Sequence, residues 1–425
     1  MLGGWSESCS NWRVLSRLWG SRSIILMLVW FLLLGPVECA DRIRALLIGD
    51  FTGSTDLEAL FKEEPLIDFL SVPCRQGRVK GDLKVQMKYI RQYFPRSYEE
   101  MGDFDYIMLI TPSFDYLSIK QDRWIHDRIA DGAGGFNDQS VLSASHSQIH
   151  TAWANSMAQK AFPNDAPAVV AGGLIDYTTG AYYGVVVDRD FPDPVLTPYI
   201  EFGVEQHLGY VGRFVIARQS AGVMAYQTGN FIGHDKVPFL VVWDYGDGRT
   251  LTCGGALSEE ENWFGRHNPY GADMLINIIL YSTQRRLIED VEVFHRIKGV
   301  FRDFGERMEL LSSLVEFIDR FGANTDRVSN RMIGLREARQ QAENRYLEGS
   351  FAESEELMRD ASEDFSRVES LAKRVKNSAL MWVYIIEWLV TTSVLFLSGF
   401  ILWTLMIRRS LYREMGSTRL PGVDD

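Results

Sequence analysis

Apolar and polar positions change rhythm twice along this chain. From 41 to about 286, short apolar runs alternate with stretches of helical spacing. Ile43–Ile48, Leu66–Val72 and Tyr106–Ile110 read as strands; Asp56–Lys62, Leu83–Phe94 and Ile119–Ala130 read as the helices between them. Strands interleaved with helices predict an α/β domain of flavodoxin- or Rossmann-like, three-layer build, with a parallel sheet between helices. Further strands are predicted at Ala168–Ala171, Gly184–Val187, Arg213–Ala217, Val223–Gln227, Pro238–Trp243 and Arg249–Cys253. The last two form a hairpin around Tyr245-Gly246-Asp247-Gly248, where Asp-Gly tolerates a positive φ. A helix over Tyr270–Thr283 closes the domain.

From 287 to 379 the strands stop. Ile297, Phe301, Phe304, Met308, Leu311, Val315 and Ile318 step by four and three, the a/d spacing of a bundle core or of a coiled-coil seam between two copies. Gly322-Ala323-Asn324-Thr325 breaks this helix, and a second runs from about 327 to 347. A third starts near Phe351 with Leu357, Ala361, Val368, Leu371 and Val375 on one side, and it can continue into the segment that follows. The expectation is an α-helical stalk that holds the α/β domain near a membrane or docks a protein partner.

Two runs are apolar without periodicity. Trp388 to Ile407 is twenty residues without a charge, about 30 Å as a helix and enough to cross a bilayer core. Trp382, Tyr384 and Trp388 mark one end and Trp403 the other, as an aromatic belt does. This predicts one C-terminal transmembrane helix over 380–407 and a tail over 408–425. The second run, Ile24 to Leu34, follows Arg13, Arg17 and Arg22 and precedes small residues ending at Cys39-Ala40. It reads as a signal peptide over 1–40, with an uncleaved anchor as the alternative. Arg408, Arg409, Arg413 and Arg419 place the C-terminus in the cytoplasm, so the expected topology is single-pass, type I, in the plasma membrane, with 41–379 outside.

Composition narrows the function classes. Forty-four basic against 56 acidic residues leave a net charge of −12, which argues against nucleic acid as a partner. Four cysteines in 425 residues exclude a disulfide scaffold. Cys74 and Cys253, both in the exported part, are either a single disulfide or two buried thiols.

Several segments of the α/β part resemble the class I glutamine amidotransferase-like superfamily, in its membrane-linked group. Phe104 to Ile110 is similar to the strand leading into that family's site, and Ile125 to Gly135 to its helix and Gly-rich turn. Pro238 to Arg249 is similar to a late hairpin, and Trp263 with Pro269-Tyr270-Gly271 through Tyr281 to the end of the domain. The resemblance spans about 240 of the 425 residues. It implies a Cys nucleophile at a strand-to-helix elbow after Gly134-Gly135. Here that stretch reads Phe-Asn-Asp-Gln-Ser-Val-Leu-Ser (136–143), with neither a Cys nor a Gly-x-Ser-x-Gly. The family's glutamine hydrolysis therefore lacks its thiolate at the elbow.

Ligands of open α/β sheets sit beyond the carboxyl ends of the strands. Those positions are Asp50 and Thr52 (with Ser54), Thr111 and Ser113, and Asn137, Asp138, Gln139 and Ser140, which together suit a polar ligand or equally an ordinary polar loop. His146 and His150 have the i,i+4 spacing of metal ligands but no neighbouring Glu. Asp188, Asp190 and Asp193 lack the Gly and Glu of a calcium loop, and Glu387 precedes the apolar core by one residue. No catalytic residue, metal site or cofactor is assigned. The expected function is a non-catalytic, extracytoplasmic module that binds a ligand or a protein. A membrane-anchored hydrolase rebuilt around Asn137–Ser140 and His146, or an accessory subunit of a membrane complex, are the alternatives.

Overall fold

A computed structural model of the chain describes residues 42–50, 55–74, 83–138, 152–165, 182–210, 215–231, 234–255, 257 and 261–416. The expected signal peptide, the strand at 168–171, and Thr52, Ser54, Gln139, Ser140, His146 and His150 lie outside these residues.

The first half alternates as its sequence pattern predicts: β1 (Ile43–Gly49), α1 (Thr55–Glu63), β2 (Ile67–Pro73), α2 (Leu83–Tyr93), α3 (Tyr98–Gly102), β3 (Tyr106–Ile110), α4 (Ile119–Ala130) and β4 (Gly134–Asn137). Two-residue strands β5 (Asn164–Asp165), β7 (Gly209–Tyr210) and β8 (Ile216–Ala217) flank the longer β6 (Tyr182–Val187). Then come β9 (Gly222–Phe231), β10 (His234–Tyr245), β11 (Gly248–Cys253) and helix α5 (Gly271–Ser282).

Nine strands form one sheet in the order β2-β1-β3-β4-β11-β10-β9-β6-β7. The first five are parallel, and the last four run antiparallel to their neighbours. The sheet is thus mixed rather than parallel throughout, because β9, β10 and β11 connect through hairpins and not through helical crossovers. Pro238 lies inside β10, where it cannot donate a ladder hydrogen bond; the register shifts beside it, between Pro238 and Leu240, so a bulge absorbs it. At the β10–β11 hairpin Tyr245 pairs with Gly248, leaving Gly246-Asp247 as the two turn residues. The positive φ of 59° falls on Gly246 and not on the Asp-Gly pair expected from sequence. Gly248 meets a different constraint: a Cβ there would lie 2.1 Å from the Ile129 carbonyl, so only glycine lets the hairpin seat on the end of α4.

Alternate residues of the buried strands feed two cores. Ile43, Ala45 and Leu47 of β1 pack with Leu57 and Phe61 of α1 and with the apolar face of α5. Leu46 and Ile48 face the other side, with Ile90 of α2, Met101 of α3 and Ile125 and Ile129 of α4. Burial on both faces explains why these strands are continuously apolar.

The helical part comprises α6 (Val291–Asp319), α7 (Asp326–Leu347) and α8 (Phe351–Gly416). Asp290 caps α6 by accepting from Val293 N–H, and Gly322 and Gly349, at φ 71° and 76°, sit in the two connections. The a/d stripe of α6 packs inside this chain, with Phe304 against Phe365 and Phe301 against Tyr346, so it is bundle core and not a seam between copies. On α8 the buried line is Met358, Ala361, Phe365, Val368 and Ala372, with Leu357, Leu371 and Val375 half-buried beside it. The five expected residues all pack on the core, and Met358, Phe365 and Ala372 widen the stripe because α6 and α7 both cover it. The same apolar core runs without interruption from β1 and α5 to α8.

Helix α8 has 66 residues, about 100 Å. It is the helix among the described residues that is long and apolar enough to cross a membrane, and none of its most apolar window is buried. Exposure separates it from a shorter apolar core helix such as α5, which is buried almost throughout.

Candidate functional site

The carboxyl ends of β1 to β4 are laced together by main-chain hydrogen bonds. Asp50 N–H donates to Ile110 O (2.9 Å), Cys74 N–H to Gly49 O (3.0 Å), Ser113 N–H to Cys74 O (2.8 Å) and Asp138 N–H to Leu109 O (3.2 Å). Gly49, at φ 135°, allows this approach, since a Cβ would lie 2.0 Å from Ile110 O.

Thr111, directly after β3, has φ 41°, a conformation that β-branched residues rarely adopt. Its amide donates to Asp138 Oδ1 at 2.5 Å, and its hydroxyl lies 3.1 and 2.9 Å from Oδ1 and Oδ2. Leu257 N–H donates to Asp138 Oδ2 at 3.2 Å. The Asp138 carboxylate is wholly buried and holds three segments, the ends of β3 and β4 and the loop after β11. Strain held by a buried polar network is characteristic of functional sites.

The other expected residues divide. Asp50 and Ser113 are buried at the same edge of the sheet. Asn137, one residue before Asp138, projects to the opposite face: its amide donates to Thr252 Oγ1 at 2.8 Å, and Thr252 donates to Asn164 Oδ1 at 3.0 Å. Adjacent strand residues diverge, so Asn137 and Asp138 do not share one crevice.

Cys74 and Cys253 are both buried and are not bonded to each other, which decides against the disulfide. Burial pushes the Cys74 thiol up to about 12, so it stays protonated and is no nucleophile at neutral pH. Asp188 Oδ1 accepts from Asp190 N–H within the turn, and Asp193 Oδ2 accepts from Tyr281 OH of α5 at 2.6 Å, so each carboxylate has a structural partner. No cluster of three metal-ligating side chains occurs among the described residues.

A second polar site lies where α5 and α6 meet, and the sequence reading missed it. Lys298 of α6 is flanked by Asp273 of α5 (3.0 Å) and by Glu64 after α1 (3.4 Å). Asp273 also faces His295 Nδ1 at 2.6 Å, and Glu64 Oε1 accepts from Tyr346 OH (2.9 Å) and Leu66 N–H (3.2 Å). The His295 ring packs on Tyr270, with centroids 4.5 Å apart. A cleft of about 640 Å³ opens beside the cluster, lined among others by Arg266, Asn268, His295, Lys298 and Arg302. The signal in the sequence is a lone Asp at the head of the apolar run Met274 to Tyr281, and a Lys directly after the first a/d residue, Ile297.

One ammonium serves two carboxylates here, and their environments pull them apart. Burial raises Glu64, and this outweighs the lowering by Lys298, Tyr346 and the Leu66 amide. Burial raises Asp273 too, but Lys298 and His295 together hold it below its ordinary value. Burial lowers Lys298, and the two carboxylates more than offset this, so it is raised. The raised Lys298 stabilises the fold fully below its unfolded value of about 10.4, and this contribution is lost as pH rises through the folded value. The depressed Asp273 acts oppositely: its contribution is present above about 3.9 and is lost as pH falls through the folded value. Unfolding midpoints measured across the alkaline range should therefore fall above about pH 10.4 in the native chain. Lys298→Met should remove that Lys298-dependent part, and an unchanged alkaline limb would refute the assignment.

No family model and no curated protein matches the chain. Among solved structures, the cytoplasmic protein STM3548 from Salmonella typhimurium aligns at a TM-score of 0.40 and 16% identity, covering 56% of this chain and 99% of that one. The cytoplasmic protein STM1381 from Salmonella typhimurium LT2 aligns at 0.39 and 16%, with the same coverage.

Proposed function

We propose that this chain is a single-pass, type I protein of the plasma membrane. Its exported domain keeps an amidotransferase-like fold and works as a binding or interaction module, not as a glutamine hydrolase. The parallel block β2-β1-β3-β4-β11 supports the fold reading, because it has the order of flavodoxin-like doubly wound sheets once β11 is counted as the fifth strand. The exposed apolar surface of α8 supports the anchor, and Arg408 and Arg409 after it support a cytoplasmic tail.

One observation carries the non-hydrolytic reading. Where the resemblance calls for a nucleophile elbow, β4 is followed by Asp138, whose carboxylate is occupied by the Thr111 amide and hydroxyl and the Leu257 amide. The buried thiol at that edge, Cys74, is neutral and donates to Ser113 O. A site so filled holds its loops in place and offers them to a ligand. The test is a thermal-shift screen of the full chain in nanodiscs with amino acids, sugars, nucleotides and divalent metals, run beside an ammonia assay with glutamine. A ligand that binds only the folded state raises the midpoint by mass action. The expected result is a hit that is lost in Asp50→Asn, without ammonia release. Glutamine turnover above the blank would overturn the reading.

A further inference from the structure

The exposed aromatic pair at the tip of the α6–α7 hairpin lies level with the start of the apolar surface of α8. Helices α6 and α8 run side by side in one direction, and their partners keep a nearly constant separation. Arg296 pairs with Glu355, and Arg307 with Ser366 and Glu369, at separations of 59 to 62 positions. Continued to the end of α6, this register places Phe317 opposite 376–379 and Phe321 opposite 380–383. Hydrogen bonds from Phe321 N–H to Ile318 O and from Gly322 N–H to Asp319 O carry the helical path through the tip. Burial agrees: among the described side chains of α8, Ala379 is the last that is buried, and Ile318 and Val328 close the bundle at the same end.

Immediately beyond Ala379, α8 turns outward with Met381, Trp382, Tyr384, Ile385 and Ile386, all exposed. From Met381 to Ile407 the helix is about 40 Å long, the thickness of a bilayer core with its headgroup layers. Phe317 and Phe321 are 45% and 43% exposed, with ring centroids 4.8 Å apart.

We infer that Phe317 and Phe321 form a second membrane contact, seated in the headgroup layer of the leaflet that α8 enters; this rests on the reading of α8 as a span. Two contacts fix the tilt of the bundle, and through the shared core that of the α/β domain, which a single helix leaves free to swing. Lipid fits better than a second copy of the chain. Two half-exposed rings fall far short of the roughly 800 Å² per partner that a stable interface buries, whereas partial insertion of apolar side chains at the lipid boundary suits them.

The test uses the full chain in phosphatidylcholine vesicles, with Cys9→Ser and Cys39→Ser, and a fluorophore placed singly at Phe321→Cys, Leu310→Cys or Ser398→Cys. Quenching is read from lipids carrying a nitroxide on the headgroup or deep in the acyl chain. The Ser398 probe should be quenched by the deep nitroxide. The Phe321 probe should be quenched by the headgroup nitroxide severalfold more than the Leu310 probe, which lies about three turns further from the bilayer. If Ser398 is quenched and Phe321 responds no more than Leu310, the inference falls and the span stands. A Phe321 probe shielded from water yet blind to lipid nitroxides identifies a protein interface and also overturns it. An unquenched Ser398 removes the span, and the inference with it.

Discussion

Replacing Lys298 by methionine is expected to destabilise the fold by about 3–5 kcal/mol, the usual cost of removing one member of a buried ionic cluster. Methionine keeps most of the volume and the unbranched stem, so packing against Phe294, over which the ammonium lies at 5.3 Å, changes little. The loss is electrostatic. Glu64 and Asp273 would stay buried, with 0% and 2% of their side chains exposed and without their shared cation. Their remedy is to bind protons, so the variant should recover stability on acidification. With both carboxylates raised, their contribution is present below about 4 and is lost as pH rises through the folded values. Urea unfolding of the full chain in nanodiscs, followed by tryptophan fluorescence, would measure this. Glu64→Gln and Asp273→Asn added to Lys298→Met should restore most of the loss. A change below about 0.5 kcal/mol, the range of ordinary surface substitutions, would show that water already screens the cluster.

The second large effect is expected at Asp138. Asp138→Ala leaves the Thr111 and Leu257 amides and the Thr111 hydroxyl without their acceptor in a buried place. At about 1–3 kcal/mol for each unsatisfied group, partly relieved by relaxation, a loss of about 3 kcal/mol follows. It carries a local signature as well. Thr111 holds a left-handed conformation only while its surroundings over-determine it, so it should return to a negative φ once the carboxylate is gone. Hydrogen exchange should then rise first in peptides covering 106–113 and 253–257, ahead of global unfolding. Protection unchanged in those peptides would mean that the β3 turn is held by other contacts. Asp138→Asn, which keeps one acceptor oxygen, should fall between the two.

These predictions concern sites of different legibility. Thr111 was accessible from sequence because it follows an apolar strand, and Asp138 because the resemblance puts a strand-to-helix elbow after Gly134-Gly135; strand ends in an α/β pattern are where polar residues collect. Their partnership was not accessible: a side-chain bond across 27 positions depends on β3 and β4 being neighbours in register, with Leu109 opposite Asn137. Asn137 shows the same limit from the other side, since one step along a strand turns a side chain to the opposite face. The joint around Lys298 left a fainter trace. A lysine next to an a/d stripe looks like a solvated flank until the domain that covers it is in place, and Glu64 lies far away in sequence.

The hydrophobic pattern by itself determined the α/β alternation, the three helices that follow it and the exposed apolar run of α8, because periodicity and length are local properties that burial reads directly. Only the tertiary structure decided that the sheet is mixed, that Cys74 and Cys253 stay apart, how wide a face of α8 is buried, and that α6, α7 and α8 share their core with the α/β part. Each of these depends on which distant segments become neighbours. That choice is made by the summed packing of whole faces, and no single window of sequence contains it.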